Sequence, residues 1–149
     1  MEKLKVYVGC GLTHAPQEYR LMIASFKERL AKESWLQVLE FVTPNSVLPK
    51  PDAHHIYLND IHECVGTADA MIGDLTYPST GLGWELGTAI EKRGIRTLLS
   101  FQKGALVSHL PIGAVQANEH VTLHSWESSL EELYDDFLNE LRSVHRVQQ

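Results

Sequence analysis

The segment from Thr76 to Ala89, TYPSTGLGWELGTA, sets a single carboxylate, Glu85, among Gly81, Gly83 and Gly87. Read from its spacing, the segment is a glycine turn that opens a helix, with Glu85 in about the first turn. There the helix dipole favours an ionised side chain by about 0.3 to 1 kcal/mol, so Glu85 is expected to stay a carboxylate at neutral pH. A fixed, ionised carboxylate has two uses. It can attack an electrophilic carbon such as the anomeric carbon of a sugar, or it can cap the helix. A plain cap, however, does not require Gly81 and Gly83 beside it, nor an aromatic, Trp84, immediately before it.

Other chemistry suggested by the same residues is less well supported. GLGWELG is one residue longer than the dinucleotide fingerprint, and a P-loop would need Gly-Lys-Ser/Thr where Trp84 and Glu85 stand. A second cluster, HHIYLNDIHEC, offers His54, His55, Asp60, His62, Glu63 and Cys64. It has neither HExxH nor a closing ligand pair, so neither a metal nor a cofactor is expected. Asp74, at the end of the strand before the glycine turn, either caps that turn or serves a sugar hydroxyl or Glu85. Trp84 is either a pocket wall or core. The acids of SWESSLEELYDD read as a helix start and a solvated face.

The elements that must position these residues follow from periodicity. Lys3–Gly9, Leu36–Val42, Ala68–Leu75, Ile95–Phe101 and His120–His124 read as strands. Tyr19–Leu30, His55–Val65 with Asp52 as N-cap, a segment around Leu82–Arg93 closed by Gly94, and Leu130–Val144 read as helices. On the first of these helices Leu21, Ile23, Ala24, Phe26 and Leu30 fall at apolar spacing, and Pro44–Asp52, with three prolines, reads as loop. Such alternation with strongly apolar strands predicts a three-layer α/β/α fold around a five-stranded parallel sheet, of the flavodoxin or Rossmann kind. Ligands then belong at the carboxyl ends of the strands, in the loops Gly9–Pro16, Asp74–Trp84 and Gln102–Gly113.

At 149 residues, 44% hydrophobic and 21% charged, the chain suits one domain spanning 1–149. A net charge of -6 argues against a nucleic-acid polymer as partner, and no apolar run is long enough for a membrane span or a signal sequence. Cys10 and Cys64 are not paired in a CxxC and are read as reduced thiols, which together with the N-terminus suggests a cytoplasmic protein.

Taken as a spaced set, Ala68-Asp69, Asp74, Pro78-Ser79, Gly81-Leu82-Gly83, Trp84 and Glu85-Leu86-Gly87 resemble the nucleoside 2-deoxyribosyltransferase superfamily. Within it the closest likeness is to the 2'-deoxynucleoside 5'-phosphate N-hydrolases. The resemblance implies that Glu85 is the nucleophile at the anomeric carbon and that Asp60 assists departure of the base. The spacing from Asp60 to Ala68-Asp69 is about one residue longer than the family pattern, with His62 the other candidate. The resemblance further implies substrate contacts from Ser79, Gly83 and the first-strand region of Tyr7, Gly9 and Gly11. It also implies a homodimer in which Ser108 of GALVSHLPIGA reaches the neighbouring subunit's phosphate site. One departure is the loop GCGLTHAP, which has no arginine before Arg20, leaving Thr13, His14 and backbone N–H groups for a phosphate, or an unphosphorylated nucleoside as substrate.

The expected activity is hydrolysis of the N-glycosidic bond of (deoxy)nucleoside 5'-monophosphates or nucleosides through a glycosyl-glutamate. Glu85 would be ionised and Asp60 neutral, held so by burial and by Asp74 or Glu85 nearby. The alternatives are a transferase that passes the sugar to a second base, and a nucleotide-binding protein without activity.

Overall fold

A computed structural model describes residues 2–40 and 52–149. Strands β1 (Leu4–Cys10), β2 (Leu36–Leu39), β3 (Ala70–Asp74), β4 (Arg96–Gln102) and β5 (Val121–Trp126) form one sheet in the order β2-β1-β3-β4-β5. Every pairing is parallel. Helix α1 is Gln17–Ala31, and α2 is Ala53–Tyr57, continued as a π-helix over Leu58–Val65. Helix α3 is Thr80–Gly87, continued as a π-helix over Thr88–Arg93. Helix α4 is His109–Ala117, and a 3-10 turn at Leu130–Leu133 leads into α5, Tyr134–Val147.

Successive strand residues point to opposite faces, so each strand feeds two cores. Val6, Val8, Ile72 and Leu98 meet Phe26 of α1 and Phe137 of α5 on one side. Tyr7, Met71 and Leu99 meet Leu82 and Leu86 of α3 on the other. Covered on both faces, β3 is buried at all five positions, which is why its sequence shows no polar alternation. Each large apolar side chain buried this way contributes about 1.5 to 3 kcal/mol.

All five expected strands are present, although Phe41 and Val42 of the second, and all but Asp52 of the proline-rich segment, lie outside the described residues. Asp52 caps α2, its Oδ1 accepting from the His55 N–H at 2.9 Å. Gly94 closes the α3 segment in the left-handed region at φ 61°, where a side chain would be strained. Two expectations fail. The glycine motif is already helical from Thr80, with Ser79 as N-cap accepting from the Leu82 N–H at 3.2 Å. The stretch Gln102–Gly113, read as loop, contains the start of α4. Pro111 is its third residue, where the N–H would lack a helical partner in any case. On α1, Leu21 is exposed despite its apolar spacing, and the core face is Tyr19, Ile23, Phe26 and Leu30.

Strand order reverses at β1 and β3, where the chain moves first to β2 and then to β3 on the other side. A crevice at the carboxyl ends of these two strands is the natural ligand position in such a sheet.

Candidate active site

Tyr7 and Gly9 lie on the face of β1 that looks toward α2 and α3, and Glu85 comes down onto them. The Tyr7 phenol donates to Glu85 Oε2 at 2.5 Å inside the core. A Cβ placed on Gly9 would stand 3.2 Å from Glu85 Oε1, so the absent side chain is the space the carboxylate occupies. Asp60, half-buried on the π-helix after α2, hydrogen-bonds Glu85, and the Lys27 ammonium on α1 acts favourably on both. Four of the residues expected at the site, Glu85, Asp60, Tyr7 and Gly9, are thus brought together.

The electrostatics reverse an expectation. Glu85 is the sixth residue of α3, too far from its start for the dipole to hold it ionised. Burial instead pushes its carboxyl up to about 7; the Tyr7 donor opposes the shift, and the charge of Asp60 adds to it. Asp60 is also raised, by burial, but its bond with Glu85 acts downward on it, and Asp74 plays no part. Burial thus raises the proton affinity of both acids, while their mutual hydrogen bond acts upward on Glu85 and downward on Asp60. Tyr7 is held far above the ordinary phenol range by burial and by Glu85, so it remains a donor.

Asp74 occupies a different setting. Fully buried, it accepts from the Tyr19 hydroxyl at 2.6 Å and the Thr76 N–H at 3.2 Å on Oδ1. On Oδ2 it accepts from the Ser100 hydroxyl at 2.7 Å and the Trp126 indole at 2.8 Å. One carboxylate thus ties α1, β4, β5 and the turn after β3, and every acceptor position is used within the fold. The Thr76 bond is the turn cap that the sequence allowed. Gly11 supports the same turn: a Cβ there would lie 2.2 Å from the Tyr77 carbonyl oxygen, so the loop after β1 can seat against the turn only with glycine. Arg20 braces that loop by donating to the Leu12 and Ala15 carbonyls.

The remaining expected residues form a second locus. Ser79, Gly83 and Ser108 line a groove of about 1530 Å³ between α3 and α4, joined by His14 from the loop after β1. Ser108 stands at the N-cap of α4 without a capping bond from its side chain. Glu85 and Asp60 do not line this groove. Leu82 does, and it also packs against Gly9 beside the Glu85 carboxylate, so its side chain marks the wall between the two places. Trp84, 64% exposed, stands at the outer edge of α3 with Leu110 opposite.

Several participants were invisible in the sequence. Tyr19, Ser100 and Trp126 converge on Asp74 from separate elements, and no local spacing announces it. Lys27 on α1 likewise comes to the carboxylates through the tertiary fold. Asp60 lies in the π-helix Leu58–Val65. Asp60 meets Glu85 in that register, while His62 is exposed. Arg93, ending the α3 segment, donates to the Val65 carbonyl at 2.7 Å and the Ala68 carbonyl at 2.8 Å, clamping the end of the α2 segment to the end of the α3 segment. Among the described residues, no group of three or more His, Cys, Asp or Glu is placed to hold a metal ion.

No family model matches the sequence, and no curated protein matches it. Solved structures do. The CMP N-glycosidase BcmB of Clostridium botulinum superposes with a TM-score of 0.66 at 16% identity, over 89% of this chain and 98% of that one. A conserved protein from Enterococcus faecalis V583 follows with a TM-score of 0.59 at 18% identity, over 95% and 98%. The signal receiver domain of the response regulator NarL from Mycobacterium tuberculosis reaches 0.50 at 16% identity, over 95% and 98%. An N-glycosidase and a receiver domain sharing one frame show that the frame does not by itself fix the chemistry. What the chain shares with the N-glycosidase is its fold, the three-layer α/β/α arrangement around a five-stranded parallel sheet that the alternation of strands and helices predicted.

Proposed function

We propose that the chain is an N-glycosidase of nucleoside 5'-monophosphates or nucleosides, with Glu85 as nucleophile and Asp60 as acid and base. The observation that carries the reading is Glu85 itself: a buried carboxyl with one phenol donor, an acidic partner and a proton affinity near neutrality. A carboxyl that served only structure would gain from more donors and no acidic neighbour. The fold shared with a CMP N-glycosidase supports the class.

The chemistry runs in two displacements. The shared proton passes from Glu85 to Asp60 through their hydrogen bond, leaving Glu85 ionised. Glu85 attacks C1', the C1'–N bond breaks with its electrons going to the base, and Asp60 supplies the proton. Asp60, now a carboxylate, takes a proton from water as the oxygen attacks C1' and frees Glu85 with the sugar. Tyr7, bonded to Oε2, steadies the carboxylate through both steps. Gly9 leaves room for it, while Asp74 and Gly11 hold the surrounding frame.

The test is base release across ribo- and deoxyribonucleosides and their 5'-monophosphates, with Glu85→Gln as control. Release from at least one substrate class, lost in the variant, is expected; full release by the variant sinks the assignment. Adding a second free base separates hydrolysis from transfer, because new nucleoside appears only if the sugar is passed on.

We further infer a homodimer through the groove, with Ser79 and Ser108 serving the phosphate end of the substrate. Helix α4 buries none of its residues, and Trp84, Leu106 and Leu110 are large apolar side chains exposed around it. Sedimentation at micromolar protein is expected to show twice 16.8 kDa, reduced to that mass by Leu110→Asp. The two free thiols fit a reducing compartment, and we place the protein in the cytoplasm. Among the described residues no helix is long and apolar enough to cross a membrane.

A further inference from the structure

Asn59 has no role in the chemistry described so far, yet its side chain is held from two directions. Its amide Nδ2 donates to Asp60 Oδ1 at 3.3 Å and to Cys64 Sγ at 3.7 Å. Residues 59 and 64 are five apart, the hydrogen-bond span of a π-helix, so the winding of Leu58–Val65 sets the sulfur within reach of the amide. Cys64 is in turn buried and fixed, its thiol donating to the Glu40 carbonyl at 3.4 Å. The amide is thus pinned on its far side and presented to one oxygen of Asp60.

We propose that Asn59 is the positioning residue for proton delivery by Asp60: its amide claims Oδ1 as an acceptor, so that the proton rides on Oδ2. The proposal rests on the glycosidase reading for its catalytic consequence, though not for its geometry. An N–H directed at one carboxyl oxygen disfavours protonation there and restricts rotation of the group. An acid that must meet a departing base nitrogen gains from having its proton on one defined oxygen. The groups acting on Asp60 are Asn59 from its own helix, Glu85 from α3 and Lys27 from α1, and the charge of Asp60 in turn raises Tyr7 on β1 and Cys64 on its own helix. Among the described residues, Asn59 is the neutral side chain bonded to it.

Asn59→Leu removes the donor at similar volume. Should it fail to fold, Asn59→Ser replaces it. Carbon-13 NMR titration of the Asp60 carboxyl in the full chain is expected to move upward in the variant, because a donor favouring the ionised form is gone. Base release is expected to lose about 10- to 100-fold in kcat while KM changes by less than about threefold, with the alkaline limb of the pH profile moved upward. An unchanged Asp60 titration in a folded variant overturns the proposal. So does a rise in KM at constant kcat, which would make Asn59 a substrate contact. If the wild-type chain releases base from no substrate, the glycosidase reading fails, while the NMR titration still decides whether Asn59 governs Asp60.

Discussion

Asp74 and Glu85 are buried carboxylates eleven residues apart, facing opposite cores of one sheet. Asp74 accepts four hydrogen bonds, two on each oxygen, and no second acid stands in its network. Glu85 accepts one short bond from a phenol and faces Asp60. Each buried charge costs free energy, but at Asp74 the donors offset the cost and at Glu85 they do so only in part. On the proposed reading the difference separates a brace from a reagent: the well-satisfied carboxylate holds elements in place, and the poorly satisfied one keeps a proton affinity suited to chemistry near pH 7.

Substitution should divide the two sharply. Glu85→Gln, close in shape and still able to accept from Tyr7, is expected to lower base release by about 1000-fold or more while leaving the fold intact. Asp74→Ala should do the reverse, lowering stability by about 4 kcal/mol because several buried donors lose their acceptor. Urea unfolding and single-turnover base release on both variants check this; equal effects on stability would erase the distinction.

The pH dependence sharpens it further. Glu85 has a folded value near 7 against an ordinary 4.5, so between these values the native state holds a proton that the unfolded chain has lost. Its contribution is therefore most favourable below 4.5 and declines as pH rises to about 7, by about 3 kcal/mol in all. Unfolding of wild type and Glu85→Gln at pH 5 and pH 8 should show the variant gaining relative stability at the higher pH. A constant difference between the two proteins would contradict the raised proton affinity.

The smallest expected effect lies in the frame. Gly11→Ala should cost about 1 to 3 kcal/mol, because the new methyl meets a backbone carbonyl that has little room to yield. Thermal unfolding measures it, and a neutral result would mean that the loop after β1 has another seat.

How much was legible in the sequence follows from which forces act locally. Strand and helix identities were readable because apolar periodicity is a local signal, and Asp52 and Gly94 announced their own caps. Pro111 and Gly113 concealed α4, since both residues normally interrupt helices and only position within the first turn excuses the proline. Glu85 was singled out by its spaced motif and Asp60 by the resemblance, but the raised proton affinity of Glu85 was not readable. It depends on depth of burial and is opposed by a phenol from β1, both set by tertiary packing. The same holds for Asp74, whose partners arrive from α1, β4 and β5.

The Arg93 clamp has a consequence for motion. Asp60 and Glu85 ride on different helices, and those helices are joined at their ends by one guanidinium on two carbonyls. A local opening that broke these two bonds would let the helices part and separate the two acids while the sheet stayed folded. Amide exchange along Leu58–Val65 and Thr80–Arg93 would then report how often the molecule is assembled but incompetent, and Arg93 would set that fraction from outside the site.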